Sequence, residues 1–307
     1  MRLGRIILFT IFIFFIFSVS RSTTPDARPS TLDFLLSTQL HASAFDRLGA
    51  GVRAKGMGDA FTAISDDASS VYWNQAGISQ ITKKNIILNY RDLYSLGLIN
   101  YGEIFFIQPG IWRGGLGFGV RHFGTSAKVD FIDYNENTFT IAYGCEIKKN
   151  LRLGAALKYY DVDYDIDANG FGIDVSAMYS FGDYFTLGVL IQDCLEPEIE
   201  WETRAVDRLP LNIRTGLAFK WEEFLNVDID VDKIADDEDD EELHIGLEYW
   251  LPQKIIGIRV GGYQQRSSKW VGTMGFGLRY DVFQLDYSYE HHYLLSSTHF
   301  FSVGLEF

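Results

Sequence analysis

The run DDEDDEE, residues 236 to 242, gathers carboxylates whose oxygens suit a hard divalent cation such as calcium or magnesium. It lacks the spaced glycine and the bidentate final acid of a defined calcium loop, so a solvated, self-repelling loop is the plainer reading. Near the C-terminus His291, His292 and His299 lie among Ser296, Ser297 and Ser302, the residue types of an acyl hydrolase. A serine nucleophile needs a histidine within hydrogen-bond reach and a third group to orient it, and closeness in sequence supplies neither. Cys145 and Cys194 can form one disulfide in an oxidising compartment or stay as thiols; they lack the paired spacing of a metal site. Gly56 and Gly58 have no strand-turn-helix pattern around them that would cradle a phosphate. No catalytic residue, cofactor or metal site is therefore expected, and the chain reads as a non-enzyme.

The ends and the charge say where such a chain works. Residues 1–20, MRLGRIILFTIFIFFIFSVS, place Arg2 and Arg5 before an apolar run from Ile6 to Phe17, with small residues at Ser18 and Ser20, the pattern of a secretory signal. The run is short of the roughly 20 apolar residues a spanning helix needs. No cysteine follows it to accept a lipid. The chain holds 27 basic and 41 acidic residues, and removing Arg2 and Arg5 leaves 25 against 41, a formal charge of -16. Such a chain repels polyanions, so nucleic acid is excluded as a partner. Residues 21–50 form a leader in which Leu32, Leu35, Leu36 and Leu40, within 30–45, have helical spacing; residues 21–29 read equally as unstructured.

From residue 83 onward the pattern changes to strict alternation. LNVDIDVD sends Val227, Ile229 and Val231 to one face and Asp228, Asp230 and Asp232 to the other; THFFSVGLEF does the same with Phe301, Val303, Leu305 and Phe307 against Ser302, Gly304 and Glu306. Fourteen segments of this kind are expected: 84–91, 99–108, 115–123, 137–147, 151–161, 170–181, 184–193, 211–221, 223–232, 242–251, 254–264, 270–280, 282–290 and 298–307. A soluble sandwich would bury the apolar faces together, whereas a membrane barrel turns them to lipid and keeps a wet lumen.

The connections decide between those two. Residues 124–136, 162–169, 194–210 and 233–241 alternate with links as short as KKN, FGD, WEE, LPQK and YD. Loop length in phase with strand parity is the asymmetry of an outer-membrane barrel, with short periplasmic turns and longer outer loops. The expected fold is therefore all-β, a closed antiparallel transmembrane barrel of about 14 strands over residues 83–307. Aromatics at strand ends (Trp112, Tyr159, Tyr160, Trp221, Tyr249, Trp250, Trp270, Tyr280 and Tyr293) fit an interfacial girdle. Lumen-side glycines such as Gly275, Gly277 and Gly304 would let strands bend and leave interior space.

Against that barrel, residues 51–77, GVRAKGMGDAFTAISDDASSVYWNQAG, resemble the N-terminal signature of the PorV/PorQ group of outer-membrane proteins, relatives of the FadL-type transporters of hydrophobic compounds. Gly51, Arg53, Ala54, Gly56, Met57, Gly58, Ala60, Phe61, Ala63, Asp66, Asp67, Tyr72, Trp73, Asn74, Ala76 and Gly77 fall on the pattern, and IGLEYWL followed by IRVGGY resembles the group's late strands. Gln75 stands where the group usually has proline, which predicts a less rigid turn.

The resemblance implies that residues 51–82 lie inside the barrel as a plug or hatch, with Gly51, Arg53, Gly56, Met57, Gly58, Asp66, Asp67, Asn74, Gln75, Ala76 and Gly77 as its plug or gate residues. Face assignment then pairs Arg53 and Lys55 with Asp228, Asp230, Glu248 and Asp286, and Arg214, Arg259 and Arg279 with Asp66 and Asp67. Phe307 resembles the terminal signal read by the barrel-assembly machinery. The expected setting is the bacterial outer membrane, in contact with its lipid. The function implied first is protein secretion or export of the type IX kind, in which outer loops, above all 194–210, dock secretion subunits or secreted proteins. The alternative is FadL-like uptake of a hydrophobic small molecule through a plugged barrel.

Overall fold

The structure is a computed structural model that describes residues 48–125, 134–163, 167–202, 206–235, 241–264, 269–292 and 296–307. The expected signal segment, most of the leader with its helix, the acidic residues 236–240 and Tyr293 lie outside these. The described residues contain sixteen strands in a single sheet. The first seven are β1 (Asn85–Asp92), β2 (Ile99–Ile111), β3 (Gly114–Thr125), β4 (Asn135–Lys148), β5 (Leu151–Asp163), β6 (Ala168–Phe181) and β7 (Phe185–Gln192). Then come β8 (Glu198–Trp201), β9 (Val206–Arg208), β10 (Asn212–Trp221), β11 (Leu225–Ile234), β12 (Glu241–Trp250), β13 (Ile256–Gln264), β14 (Trp270–Tyr280), β15 (Phe283–His291) and β16 (Thr298–Glu306).

Fourteen of them pair antiparallel with their neighbours, β10 following β7, and β1 pairs with β16 from Asn85↔Glu306 to Asp92↔His299, which closes the barrel. Closure leaves no row of unpaired N–H and C=O groups facing lipid, the condition a spanning sheet must meet. All fourteen expected strands are present, their ends differing by at most three residues. The two extra strands form a hairpin in the connection from β7 to β10, and β8 also pairs with the outer end of β6 through Ala168↔Trp201 and Asn169↔Glu200. EIEW and VDR are too short for alternation to announce them.

The faces sort as the period of two requires. On β11, Asp228, Asp230 and Asp232 are buried while Ile229 and Val231 are 44% and 45% exposed. The same outward band continues through Leu88, Ile104, Ile141, Leu157, Leu217 and Phe301. An apolar band around a whole barrel has one stable environment, hydrocarbon. The girdle needs one correction: Tyr160 and Trp250 are buried and point inward. Each follows an outward aromatic, Tyr159 and Tyr249, and consecutive residues of a strand cannot share a face. Cys145 and Cys194 are both free thiols.

The barrel is not hollow. Residues 48–84 precede β1 and include two short helices, α1 (Val52–Gly56) and α2 (Ser70–Trp73), and a 3-10 turn at Gln75–Gln80. Almost every side chain from Ala50 to Ile78 is buried, and the partners are inward-facing residues of the wall. This inner segment starts near the long-loop end, where Arg91 holds the carbonyls of Leu48 and Gly49 at 2.8 and 3.1 Å. It leaves at the short-turn end, where Lys84 pairs with Phe307. Ala50 and the two preceding residues, assigned to the leader from sequence, thus pack with the inner segment. The lumen-side glycines do not leave space, because Gly275 packs on Gly56, with a Cβ at Gly275 only 3.1 Å from the Gly56 Cα.

Candidate functional site

The contact between the inner segment and the wall has two chemically distinct halves. On the β10–β15 side it is ionic. Arg53, the second residue of α1, grips Glu248 with Nε at 2.8 Å and Nη2 at 2.6 Å, a bidentate fork. Its Nη1 donates to Asp66 at 2.6 Å and to Asp67 at 3.1 Å. Glu248 also accepts from Arg259 Nε at 2.8 Å and Asn226 at 2.8 Å, and Arg259 Nη1 continues to Asp286 at 2.6 Å. Arg53, Glu248, Arg259 and Asp286 are all at least 95% buried. Charges that deep are tolerable only when each is paired and hydrogen-bonded, as these are.

Backbone groups of the inner segment are held by further wall side chains. Asp230 Oδ2 accepts from the amides of Phe61 and Thr62, both at 3.0 Å, and Asp228 accepts from Ala63 at 3.3 Å. Glu103 accepts from Gly51 at 2.9 Å, and the Gly58 carbonyl faces His244 Nδ1 at 2.8 Å. A segment with so little regular structure must satisfy its N–H and C=O groups through side chains, and these wall residues do that.

Several expected pairings are therefore different. Lys55 pairs with Asp59 at 2.5 Å and Glu290 at 3.3 Å, because Asp228 and Asp230 are occupied by amides. Arg214 pairs with Asp232 and lies 4.6 Å from the Trp73 ring centre, and Arg279 stacks over Trp250 at 4.3 Å. Asp66 and Asp67 form no ion pair with Arg214, Arg259 or Arg279 among the described residues; Arg53 holds both and Lys220 reaches Asp66 at 3.2 Å.

The other half, toward β1–β5, is apolar. Ala50, Ala68, Val71 and Ile78 of the inner segment pack with Ile87, Phe105, Ile107, Ala142 and Ala156 of the wall. Two sets of glycines let backbone meet backbone. A Cβ on Gly261 would lie 2.2 Å from the Met57 carbonyl carbon and one on Gly246 would lie 2.4 Å from its oxygen; on Gly144 and Gly154 it would lie 2.0 Å from Gln75 O and 2.2 Å from Ala76 N. Gly77 packs as tightly on the Ser65 carbonyl.

The turn at Gln75 is well tied despite the missing proline. Asn74 caps it by accepting from Ala76 at 3.1 Å while its amide donates to Thr62 O at 2.9 Å, and Gln75 Nε2 donates to Val71 O at 3.1 Å. Side-chain bonds supply the rigidity that proline would have supplied through φ. A pocket bounded by Gly51, Asn89, Arg91, Tyr101, Glu103 and Phe300 holds no more than about one water. Arg91, Glu103, Lys158, Asp174, His244 and Glu290 are buried wall residues that sequence reasoning did not single out; their inward positions in alternating strands were the available signal.

No protein-family model matches this sequence, and no curated protein does. Solved structures do. The toluene transporter TbuX of Ralstonia pickettii superposes with a TM-score of 0.63 at 10% identity, covering 86% of this chain and 100% of that one. The P. putida toluene transporter TodX gives 0.63 at 11% identity, covering 84% and 99%. The CymD monoaromatic hydrocarbon channel gives 0.62 at 13%, covering 86% and 99%, and a Pseudomonas aeruginosa FadL homologue 0.57 at 12%, covering 84% and 98%. Identities this low show a shared fold. With its closed wall and lipid-facing band, the chain is an outer-membrane β-barrel with the fold of FadL-type transporters.

Proposed function

We propose that this protein is a plugged channel for small hydrophobic compounds, in which residues 48–82 act as a hatch. The observation that carries the reading is the two-sided contact just described. The ionic half, centred on Arg53 and Glu248, anchors the hatch to β10–β15. Toward β1–β5 no ion pair joins the hatch to the wall among the described residues; Arg91 and Glu103 hold only its backbone, at residues 48, 49 and 51. Displacing Val71 and Ile78 there would uncover a groove lined by Ile87, Phe105 and Ile107, which suits an apolar solute and repels ions. The solved barrels of the same fold that carry toluene or monoaromatic hydrocarbons support the same solute class. Asn74 to Gly77 are the segment whose rearrangement would open the path, since their close backbone contacts with Gly144 and Gly154 must part first, while Gly56, Met57 and Gly58 stay packed on the anchored side and act as the hinge.

A second reading retains the signature's likeness to the PorV/PorQ group and its role in secretion. What favours it is the hairpin β8–β9, which gives the longest outer connection a built shape, with Trp201 Nε1 donating to Asp207 at 2.8 Å. Deletion of the gene separates the two. Slowed uptake of labelled toluene or long-chain fatty acid, with the secreted proteins unchanged, is the result expected from transport. Normal uptake with missing secreted proteins would overturn it in favour of secretion.

A further inference from the structure

The inner faces of β11 and β12 carry a cluster with a distinct chemistry at the long-loop end of the lumen. Asp232 and Glu242 are cross-strand partners, and His244 is the next inward residue of β12, opposite Asp230. One ligand atom from each of Asp232, Glu242 and His244 lies within 4.8 Å of the others. His244 is 2% exposed. Its Nδ1 lies 2.8 Å from the Gly58 carbonyl. A carbonyl only accepts, so Nδ1 carries the proton and Nε2 of the neutral ring presents a bare lone pair. That Nε2 is buried without a hydrogen-bond partner, and Glu242 Oε2 lies 3.7 Å from it.

A lone pair facing carboxylate repels it unless a cation lies between. A proton on Nε2 is a poor bridge, because 3.7 Å exceeds hydrogen-bonding range. A metal ion fits the gap, since bonds of about 2.1 Å at tetrahedral angles separate neighbouring ligand atoms by about 3.4 Å. The surroundings also match. An imidazole whose second nitrogen donates to a backbone carbonyl is the usual outer support of a metal ligand, and Tyr263 stacks on the ring at 5.4 Å to fix its plane. Arg214 pairs with Asp232, which holds that carboxylate in place beside His244. The Glu242 side chain is 24% exposed, which gives an ion a way in.

We propose that Asp232, Glu242 and His244 bind one divalent transition-metal ion of the zinc class, and that this ion ties the inner segment to the wall through His244 and Gly58. One imidazole with two carboxylates selects zinc-class ions over magnesium and calcium, which prefer all-oxygen shells. Of the described residues of the acidic run read from sequence as a solvated loop, Glu242 belongs to the cluster.

The test is calorimetric titration of the untagged full chain in detergent, freed of metal with EDTA, with zinc chloride and separately with magnesium chloride. The expected result is one zinc ion per chain, no saturable magnesium binding, zinc affinity weaker on the order of 10-fold or more in Glu242→Gln, and none in His244→Gln. Cobalt loading should give the visible bands of a tetrahedral site, absent in His244→Gln. A variant with amides in place of the carboxylates at 236–240 should bind zinc as the parent does. Absence of a saturable zinc site, zinc affinity in Glu242→Gln equal to the parent, or loss of binding only in the 236–240 variant would each overturn the proposal.

Discussion

Replacing Glu248 by glutamine tests the ionic anchor directly. The carboxylate takes the two-pronged grip of Arg53 at 2.8 and 2.6 Å and also serves Arg259 and Asn226. Glutamine keeps the shape, but it offers one acceptor oxygen and turns an NH2 donor toward two guanidinium groups. The Arg259 share of the loss stays within the wall whether the hatch is docked or displaced. The Arg53 share falls on docking: two charge-assisted bonds at about 1.5–3 kcal/mol each, offset in part because Arg53 keeps Asp66 and Asp67. Docking should weaken by about 3 kcal/mol, a change on the order of 10²-fold in the ratio of closed to open channels. Planar-bilayer conductance reads that ratio, with Glu306→Gln as the control, since its pair with Lys83 at 3.1 Å is half exposed and contributes little. Frequent openings in Glu248→Gln and none in Glu306→Gln are expected. A folded Glu248→Gln barrel as silent as the parent would refute the claim that this pair holds the channel shut.

Further expectations concern backbone contact, the turn and the seam. Gly261→Ala should cost about 1–3 kcal/mol or more through its clash with Met57, whereas Gly272→Ala, with open space at its Cβ, should leave the melting temperature unchanged. Gln75→Pro should be tolerated within about 1 kcal/mol: Asn74 is already extended and Gln75 is the first residue of its turn, so a stiffer unfolded chain offsets the lost bond to Val71. Phe307 pairs through both its N–H and its carbonyl with Lys84 at 2.9 and 2.8 Å, and deleting it should lower the yield of protein in the outer membrane, read by fractionation and blotting. If the assembly machinery ignores this residue, the yield will not change.

How much of this was legible in the sequence depends on the distance over which each feature is encoded. Strands are local: in LNVDIDVD a period of two is visible within eight residues, and it fixed both the strand and the inward face of Asp228 and Asp230. Loop parity likewise survives without any contact information. Partner choice is not local. Asp66 and Asp67 meet Arg53 because the inner segment doubles back on itself, and Arg214 meets Asp232 through the register Arg214↔Asp232 of β10 and β11; both depend on stagger and path that alternation does not carry. The β8–β9 hairpin escaped for a related reason, since strands of four and three residues show too few alternations to stand out. His244 was invisible as a candidate ligand because its significance lies in the Gly58 carbonyl, 186 positions away.

The apolar stripes of the barrel face hydrocarbon, and the inner segment occupies the lumen. Nitroxide labels at Leu217, Ile229 and Val303, each replaced by cysteine in the full chain reconstituted in lipid, test it most directly, with a label at Asp281 in a short turn for contrast. The first three labels should collide readily with dissolved oxygen and hardly with a water-soluble nickel chelate, and the label at 281 should show the reverse. Equal access of the nickel chelate to all four sites would contradict it.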